Sequence, residues 1–239
     1  MSSLNTFDVA ILVWLNHFAQ RWWLLDRIAC VFEAEPLLKG GVLTAFLWWA
    51  WFRGSPDKRR DRAILVAGVA SGLTALAICR IAAWLLPFRQ RPFFEASLHF
   101  TPPLFTNSST WVNWSSFPSD HAGLFFSLAA SLSFAYRRAG LIACLYTVLF
   151  ICLPRIYLGE HYATDILAGI FIGALVAWIF TRQAMREALA RLPLRVLESA
   201  PSCFYVAAYT VCLLLTTNFE IVRKAGSVVF HALRTHGNA

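Results

Sequence analysis

Long apolar runs separated by short polar loops dominate this chain. A membrane-spanning helix needs about 20 mostly apolar residues, and six runs approach that length, at about 36–52, 63–86, 119–136, 139–154, 164–181 and 202–219. Two earlier stretches, LNTFDVAILVWLNHFA and WWLLDRIACVF, are apolar on one side but interrupted by charges, which is typical of interfacial helices. The pattern predicts an all-α fold, an integral membrane six-helix bundle with N-terminal interfacial helices.

We expect a single membrane domain over residues 1–239, because no long linker, low-complexity tract or internal repeat divides the chain. Residues 1–35 would form the interfacial helices, 36–219 the six transmembrane helices and 220–239 a tail without an interpretable motif. The N-terminus lacks a basic start followed by an apolar core and a small-residue cleavage site, so no cleaved signal peptide is expected.

Composition agrees with a bilayer environment, since the 239 residues are 58% hydrophobic and only 14% charged. The 10 Trp and 20 Phe suit the membrane and its interface. The formal net charge is +8, but the 21 Lys and Arg are scattered in short loops, which argues against nucleic-acid binding. The six cysteines lack C-x-x-C spacing and mostly lie in apolar runs, so we interpret them as small buried hydrophobic residues.

Basic residues predict the orientation, because short cytoplasmic loops carry an excess of Lys and Arg. Eleven of them lie in the loop after the first run, the turn after the third and the segment after the fifth. The alternate loops, 87–118 and 155–163, carry only Arg89, Arg91 and Arg155 and are expected to face outward, with both termini. Most of the unusual polar residues, in LPFRQRPFF, FPSDHA and PRIYLGEHYATD, would then meet at one membrane surface.

His161 and Asp165 lie four residues apart at the start of the fifth apolar run. On one helix face, a carboxylate at this spacing can reach an imidazole, fix its tautomer and make the other ring nitrogen a better nucleophile or base. In the alternative interpretation, Thr164 or Asp165 only caps the helix. The pair alone leaves both interpretations open.

The segment FPSDHA opens the third apolar run and could form an anion site. A helix N-terminus presents free N–H groups and the positive end of the helix dipole. Ser119 could add a hydroxyl donor and His121 could supply a proton. Ordinary capping by Ser119 or Asp120 is the alternative.

Arginines near the same helix ends could hold phosphate oxygens in two-point contacts. Arg89 and Arg91 follow the second run and Arg155 follows the fourth, whereas Arg80 lies inside the second run and either snorkels outward or reaches the site. Anchoring at the interface is their alternative role.

Taken together, the cations and the two histidines suit phosphoryl transfer without a metal. No Asp/Glu cluster suited to magnesium is visible, so no metal or other cofactor is expected.

These motifs resemble the type-2 phosphatidic acid phosphatase superfamily, whose signature is K-x6-RP, PSGH and SR-x5-H-x3-D. PRIYLGEHYATD matches the third part, PSDH at 118–121 the second and Arg91-Pro92 the first, within roughly residues 60–180. The resemblance implies a six-helix membrane fold and a phosphohistidine intermediate. The roles that it implies are nucleophile for His161, support of the nucleophile for Asp165, proton donation for His121 and phosphate binding for Arg91, Ser119 and Arg155.

Three positions depart from the signature. Trp84 stands in place of the lysine, and Arg89 or Arg80 could replace that cation. Pro154 stands in place of serine, and Asp120 in place of glycine. A carboxylate at Asp120 should repel an anion unless it points away, pairs with an arginine or orients a histidine.

FPSDHA resembles the version found in bacterial polyprenyl diphosphate phosphatases, which release phosphate from undecaprenyl diphosphate on the outer face of the inner membrane. The resemblance implies a multi-pass bacterial inner-membrane phosphatase with a periplasmic active site and undecaprenyl diphosphate as the leading substrate. The motifs leave open phosphatidylglycerophosphate, phosphatidic acid or lipid A as substrate, transfer to another lipid, and non-catalytic binding or transport of a lipid phosphate. The expected partners are a lipid phosphate and membrane lipids; the oligomeric state is open.

Overall fold

The computed structural model describes residues 5–106, 114–217 and 219, and in this part of the chain the regular structure is helical, with no strand. The predicted all-α class is confirmed. The predicted tail at 220–239 lies outside the described residues. The helices are α1 (Thr6–Asn16), α2 (Trp23–Ala34), α3 (Leu37–Phe52), α4 (Lys58–Leu85), α5 (Asp120–Ala135), α6 (Arg137–Tyr157), α7 (Ala163–Phe180), α8 (Gln183–Ser199) and α9 (Pro201–Thr216).

Three of the described helices are long and apolar enough to cross a membrane: α4, α6 and α7, with 28, 21 and 18 residues. The apolar helices α3 and α9 are shorter, and α5 has 16 residues. Six crossings and an interfacial position for α1 and α2 therefore stay predictions. Both N-terminal stretches are helical, and they pack on the rest of the fold near the ends of α6 and α7.

α6 extends farther than its apolar run predicts. The sequence pattern ends this helix at 154, but the structure continues it to Tyr157, so Arg155 lies in a helical turn and not in a loop. A π-helical stretch, Thr147–Cys152, precedes the last α-helical segment. Pro154 therefore falls in the first turn of that segment, where its missing N–H group is tolerated.

α8 occupies the basic segment after the fifth apolar run, which the sequence pattern did not identify as a helix. Its buried residues are Ala190 and Leu194, four positions apart on one face. A stripe this narrow, between arginines and glutamates, is not an apolar run of the kind by which the other helices were recognised.

The cysteine prediction is confirmed only in part, although all six are free thiols. Cys79 and Cys152 are buried, whereas Cys30, Cys144 and Cys212 are half-buried. Cys203 is exposed, because this position of α9 faces away from the neighbouring helices.

α5 packs on α4 through small polar residues as well as through leucines of the core. The Ser71 hydroxyl of α4 forms hydrogen bonds with the hydroxyls of Ser127 and Ser131 of α5, at 2.9 and 3.0 Å. All three serines are buried. Small residues of this kind let membrane helices approach closely while their polar groups remain paired.

α5 packs even more closely on α7, through glycine. A Cβ atom added at Gly169 would lie 2.4 Å from the carbonyl oxygen of Ser119, and one added at Gly173 would lie 2.6 Å from that of Gly123. The backbone N–H of Ser119 also donates to the carbonyl oxygen of Asp165, at 3.1 Å. These contacts place the N-terminus of α5 beside the N-terminus of α7.

Candidate active site

A cavity of about 30 Å³ lies where α4, α5 and α6 meet the segments that precede α5 and α7. His121 and His161, which are far apart in the sequence, both line it. The other predicted site residues that line it are Arg80, Arg91, Asp120 and Arg155. Three predicted site residues do not line the cavity but contact residues next to it: Asp165, Ser119 and Arg89.

The turn between α6 and α7 brings His161 next to Arg155. Gly159 has a φ of +73°, a left-handed conformation that glycine adopts at little cost. The chain reverses there, and the backbone N–H of His161 donates to the carbonyl oxygen of Arg155 at 3.2 Å. The His161 residue is 2% exposed.

A backbone carbonyl, and not a carboxylate, is the nearest polar partner of the His161 ring. Nδ1 lies 2.7 Å from the carbonyl oxygen of Ser116 and 3.7 Å from Oδ2 of Asp165. A carbonyl oxygen only accepts, so Nδ1 carries the proton and Nε2 has a free lone pair. The sequence predicted Asp165 as the partner that fixes the tautomer. In the structure Ser116 accepts the hydrogen bond, and Asp165 lies farther away, at a distance where its negative charge still acts on the ring.

Asp165 is fully buried at the start of α7. Its Oδ2 accepts from the backbone N–H of Tyr162 at 2.8 Å, and its Oδ1 accepts from Nη1 of Arg89. The capping and functional interpretations of Asp165 are therefore compatible, since one carboxylate caps α7 and lies beside His161.

Arg89 was predicted as a phosphate ligand, but its guanidinium is occupied by two carboxylates. Nη1 contacts Asp165, and Nη2 donates to Asp8 at 2.6 Å. The group also lies 4.1 Å from the ring centre of Tyr162. Arg89 thus lies behind His161, away from the cavity.

Ser119 was also predicted as a phosphate ligand, and in the structure its hydroxyl oxygen caps α5. Its Oγ accepts from the backbone N–H of Ala122 at 3.4 Å, and the residue is fully buried. Ser119 therefore acts on the position of the next two residues, Asp120 and His121, through the start of the helix.

Asp120 lies between a histidine and an arginine. Its Oδ1 is 2.7 Å from Nδ1 of His121, and its Oδ2 is 3.3 Å from Nε of Arg80. Two of the three arrangements that would reconcile this carboxylate with an anion site are therefore present together. Trp84, one turn after Arg80, is 78% exposed and points away from the cavity.

Arg91 and Arg155 present buried guanidinium groups to the cavity. Arg91 is 7% exposed and donates to the carbonyl oxygens of Glu160 and Trp114, at 2.9 and 3.3 Å. Arg155 is 2% exposed and donates from its two Nη atoms to Glu160 at 2.6 Å and to Glu33 at 3.1 Å. Its buried Nε has no hydrogen-bond partner among the described residues.

Cations and burial together favour a neutral His161. Burial, with the nearby Arg91 and Arg155 as further causes, lowers the pKa of His161, while Asp165 opposes this change. A neutral imidazole with a free Nε2 lone pair is the form that can attack phosphorus.

Several residues around the site were missed by sequence reasoning. Ser116 acts through its backbone, which leaves no signal in the sequence beyond its place next to FPSDHA. Asp8 and Glu33 belong to the N-terminal helices, where a charge within an apolar stretch was interpreted only as a mark of an interfacial helix. In the described part of the chain, no group of three His, Cys, Asp or Glu side chains is arranged to hold a metal ion.

The profile of the PAP2 superfamily matches residues 63–188, more than half of the chain. The chain belongs to the PAP2 superfamily. The matched segment contains all three motifs, and with the long apolar helices it identifies a membrane protein of this superfamily. Residues 1–62, with α1, α2 and α3, lie outside it.

Two curated PAP2-like relatives are similar over part of their length. The Undecaprenyl-diphosphatase BcrC of Bacillus subtilis is 26% identical over 132 residues, which are 55% of this chain and 62% of the relative. The Lipid A 1-diphosphate synthase of Escherichia coli is 29% identical over 145 residues, 58% of this chain and 57% of the relative. The chain thus spans about three fifths of these relatives.

A solved structure is also similar, described as the first transmembrane PAP2 type phosphatidylglycerolphosphate phosphatase from Bacillus subtilis. It is 23% identical and superposes with a TM-score of 0.47, over 75% of this chain and 85% of that one.

Proposed function

We propose that this PAP2 superfamily protein is a membrane lipid phosphatase that cleaves a terminal phosphoryl group through a phosphohistidine on His161. The convergence of two histidines and three arginines on one cavity is the observation that carries the proposal. A site that only bound a lipid phosphate would need the cations. It would have little use for a buried histidine whose tautomer is fixed by Ser116 and whose free nitrogen can reach the cavity.

In the first step, the Nε2 lone pair of His161 attacks the terminal phosphorus, and the bond from phosphorus to the bridging oxygen breaks. The Nδ1–H group keeps its hydrogen bond to the Ser116 carbonyl oxygen, and the Asp165 carboxylate stabilises the positive charge that develops on the ring. His121 gives a proton to the departing oxygen. The products of this step are the shortened lipid and phosphorylated His161.

In the second step, water replaces the lipid. Neutral His121 accepts a proton from water as its oxygen attacks the phosphorus, and the bond to Nε2 of His161 breaks. Inorganic phosphate leaves, and both histidines return to their starting forms. Asp120, at 2.7 Å from Nδ1 of His121, fixes this ring and favours its charged form, which is present before the first step and again after the second.

Arginines take the place of a metal in this scheme. The phosphoryl oxygens would be held by Arg91, by the Nε of Arg155, which has no partner among the described residues, and by Arg80, which supplies the cation that the signature lysine provides elsewhere. Arg89 is assigned a positioning role because of its two carboxylate partners. The protein's own cations thus stabilise the charge of a loose transition state.

The cavity must open to admit a phosphoryl group. At about 30 Å³ it has room for only a water molecule or two. The Arg80–Asp120 pair is the most exposed part of its charged wall, with side chains 26% and 23% exposed. We infer that the Arg80–Asp120 contact breaks when phosphate enters, and that Arg80 then binds the phosphate while Asp120 keeps its contact with His121.

The leading substrate is undecaprenyl diphosphate. The PSDH form of the second motif supports it, and a relative that is 26% identical is an undecaprenyl-diphosphatase. The distribution of Lys and Arg supports a site on the outer face of the membrane. The resemblance of FPSDHA to the version in bacterial phosphatases supports an inner-membrane location with the site on the periplasmic side. Phosphatidylglycerophosphate, phosphatidic acid and lipid A are the competing substrates.

Transfer to another lipid is the second candidate function. The relative that is 29% identical is a Lipid A 1-diphosphate synthase. The same phosphohistidine could be attacked by a lipid phosphate instead of water, without any change in the residues that form it.

The test is a phosphate-release assay on purified protein in EDTA, with the four lipid substrates side by side and with a lipid phosphate acceptor added in one series. We expect release of inorganic phosphate, fastest from undecaprenyl diphosphate, and loss of release in His161→Ala. His17→Ala, a change in an exposed histidine of the first helical region, is the matched control and should keep parent activity. Bound substrate with turnover equal to that of His161→Ala would overturn the proposal in favour of a binding protein.

A further inference from the structure

α1 lies outside the segment matched by the family profile, yet it contacts both α7 and the last turn of α6. Asp8, in the first turn of α1, is fully buried in this contact. We propose that Asp8 is a positioning residue that fixes the start of α7 and, by sharing Arg89 with Asp165, sets the electrostatic environment of His161. The inference rests on the function proposed above, since it gives His161 the same role.

Three donors converge on the Asp8 carboxylate. Oδ1 accepts from the backbone N–H of Thr164 at 2.8 Å. Oδ2 accepts from the Thr164 hydroxyl and from Nη2 of Arg89, both at 2.6 Å. A buried carboxylate is tolerated when it is paired and its lone pairs are satisfied, and this one meets both conditions.

The contact with Thr164 fixes where α7 begins. The first N–H groups of a helix have no intrahelical acceptor, and a negative charge at that end is favourable. Asp8 satisfies one such group from another helix, while Asp165 satisfies the backbone N–H of Tyr162. Tyr162, which lies between His161 and α7, is thus fixed by Asp165, and Thr164, in the first turn of α7, is fixed by Asp8.

Arg89 couples Asp8 to the site electrostatically, because it forms ion pairs with both Asp8 and Asp165. Its two terminal nitrogens contact different carboxylates, Asp8 and Asp165, so one cation compensates two buried negative charges. The three groups together therefore carry one net negative charge, and their nearest atom, Oδ2 of Asp165, lies 3.7 Å from Nδ1 of His161. Without the charge on Asp8 the sum is zero, and Arg89 compensates Asp165 alone.

His161 must carry a positive charge as its Nε2 bonds to phosphorus, so this sum matters to its reactivity. The groups that face it from the packed elements are Asp165 of α7, Asp120 and His121 of α5, Arg80 of α4, Arg91 of the loop after α4, and Arg155 of α6. The arginines disfavour the charged ring, and the carboxylates favour it. Removal of the Asp8 charge shifts this balance against the charged ring.

The experiment compares the full-length parent with Asp8→Asn and with Asp26→Asn as a matched control. Asp26 is equally buried, and its carboxylate accepts from the backbone N–H groups of Gln20 and Leu104 at 3.0 and 3.1 Å and from the Tyr157 hydroxyl. Asp26→Asn thus removes the same charge as Asp8→Asn, but from a side chain of the neighbouring helix α2 that has no hydrogen bond to Arg89 among the described contacts.

The primary measurement is the NMR titration of the His161 ring in detergent micelles, with ring-labelled histidine and assignment by the signal lost in His161→Gln. We expect the His161 midpoint to move to lower pH in Asp8→Asn and to stay at the parent value in Asp26→Asn. In the phosphatase assay, Asp8→Asn should lower kcat by roughly tenfold, a typical effect of partners that orient an active histidine, with a smaller change in KM.

An unchanged His161 midpoint in Asp8→Asn, or an equal shift in Asp26→Asn, overturns the inference. Should Asp8→Asn not fold, Asp8→Ser removes the same charge and keeps an oxygen that can accept from the backbone N–H of Thr164. It should move the His161 midpoint in the same direction, and no shift would again overturn the inference. The titration requires no substrate. A parent protein that cleaves no lipid phosphate therefore refutes the proposed function, while the titration still decides the role of Asp8.

Discussion

Gly169→Ala tests whether the contact between α5 and α7 sets the geometry of the two histidines. The added Cβ would lie 2.4 Å from the carbonyl oxygen of Ser119 and 2.8 Å from Cβ of Ala122. Carbon and oxygen atoms in contact are normally about 3.3–3.6 Å apart. The helices must therefore separate by about 1 Å at this point, because both nearest atoms belong to rigid parts of α5 and its cap.

That displacement acts on catalysis and stability together. Ser119 directly precedes Asp120 and His121, so His121 would move relative to His161. A misplacement of about 1 Å in a catalytic arrangement can cost on the order of 100-fold in rate. Overpacking of a close contact costs about 1–3 kcal/mol of stability. We therefore expect both a large loss of kcat and a lower melting temperature.

The assay is phosphate release at saturating substrate, with thermal unfolding in the same detergent. Gly54→Ala is the matched control, because a Cβ placed there meets nothing within 4 Å apart from its own chain neighbours, and it should behave as the parent. Parent kcat and parent melting temperature in Gly169→Ala would contradict a role of this contact in both geometry and stability. A lower melting temperature with full kcat would show that the contact stabilises the fold without positioning the histidines.

Two further predictions concern the charges of the cavity. Arg80→Met should lower kcat/KM by roughly tenfold or more, because a hydrogen bond to a charged group contributes about 1.5–3 kcal/mol, whereas Trp84→Phe should stay near the parent; equal effects would place the missing cation elsewhere. The acid limb of kcat/KM should have its midpoint below the ordinary imidazole value of about 6.5, because burial lowers the pKa of His161 and the neutral ring persists as pH falls. A midpoint at or above that value in the pH–rate profile contradicts this assignment.

Local features of the site could be predicted from the sequence. The spacing of His161 and Asp165 places both around the start of one helix, and FPSDHA is a recognisable start of another. Each motif consists of residues within about one helical turn of one another, so the order of residues in the chain is enough to recognise it. The long apolar runs likewise predict α4, α6 and α7, because a run of that length has few other structures available in a membrane.

Features that depend on tertiary packing were not predictable. The signature marks Arg91 through the proline that follows it, but nothing in the sequence shows that Arg89, two residues earlier, pairs with buried carboxylates and does not line the cavity. Ser116 acts through its backbone oxygen, which every residue has. Asp8 lies far from the motifs in sequence, and only the packing of α1 on α7 gives it a role.

The proposed function depends on phosphorylation of the His161 ring. Rapid quench of the parent with undecaprenyl diphosphate labelled at its terminal phosphate, followed by peptide mapping, measures this directly. We predict an acid-labile, base-stable label on the peptide that contains His161, formed within one turnover and missing in His161→Ala. Turnover with the label on another residue, or turnover by His161→Ala at the parent rate, would contradict it.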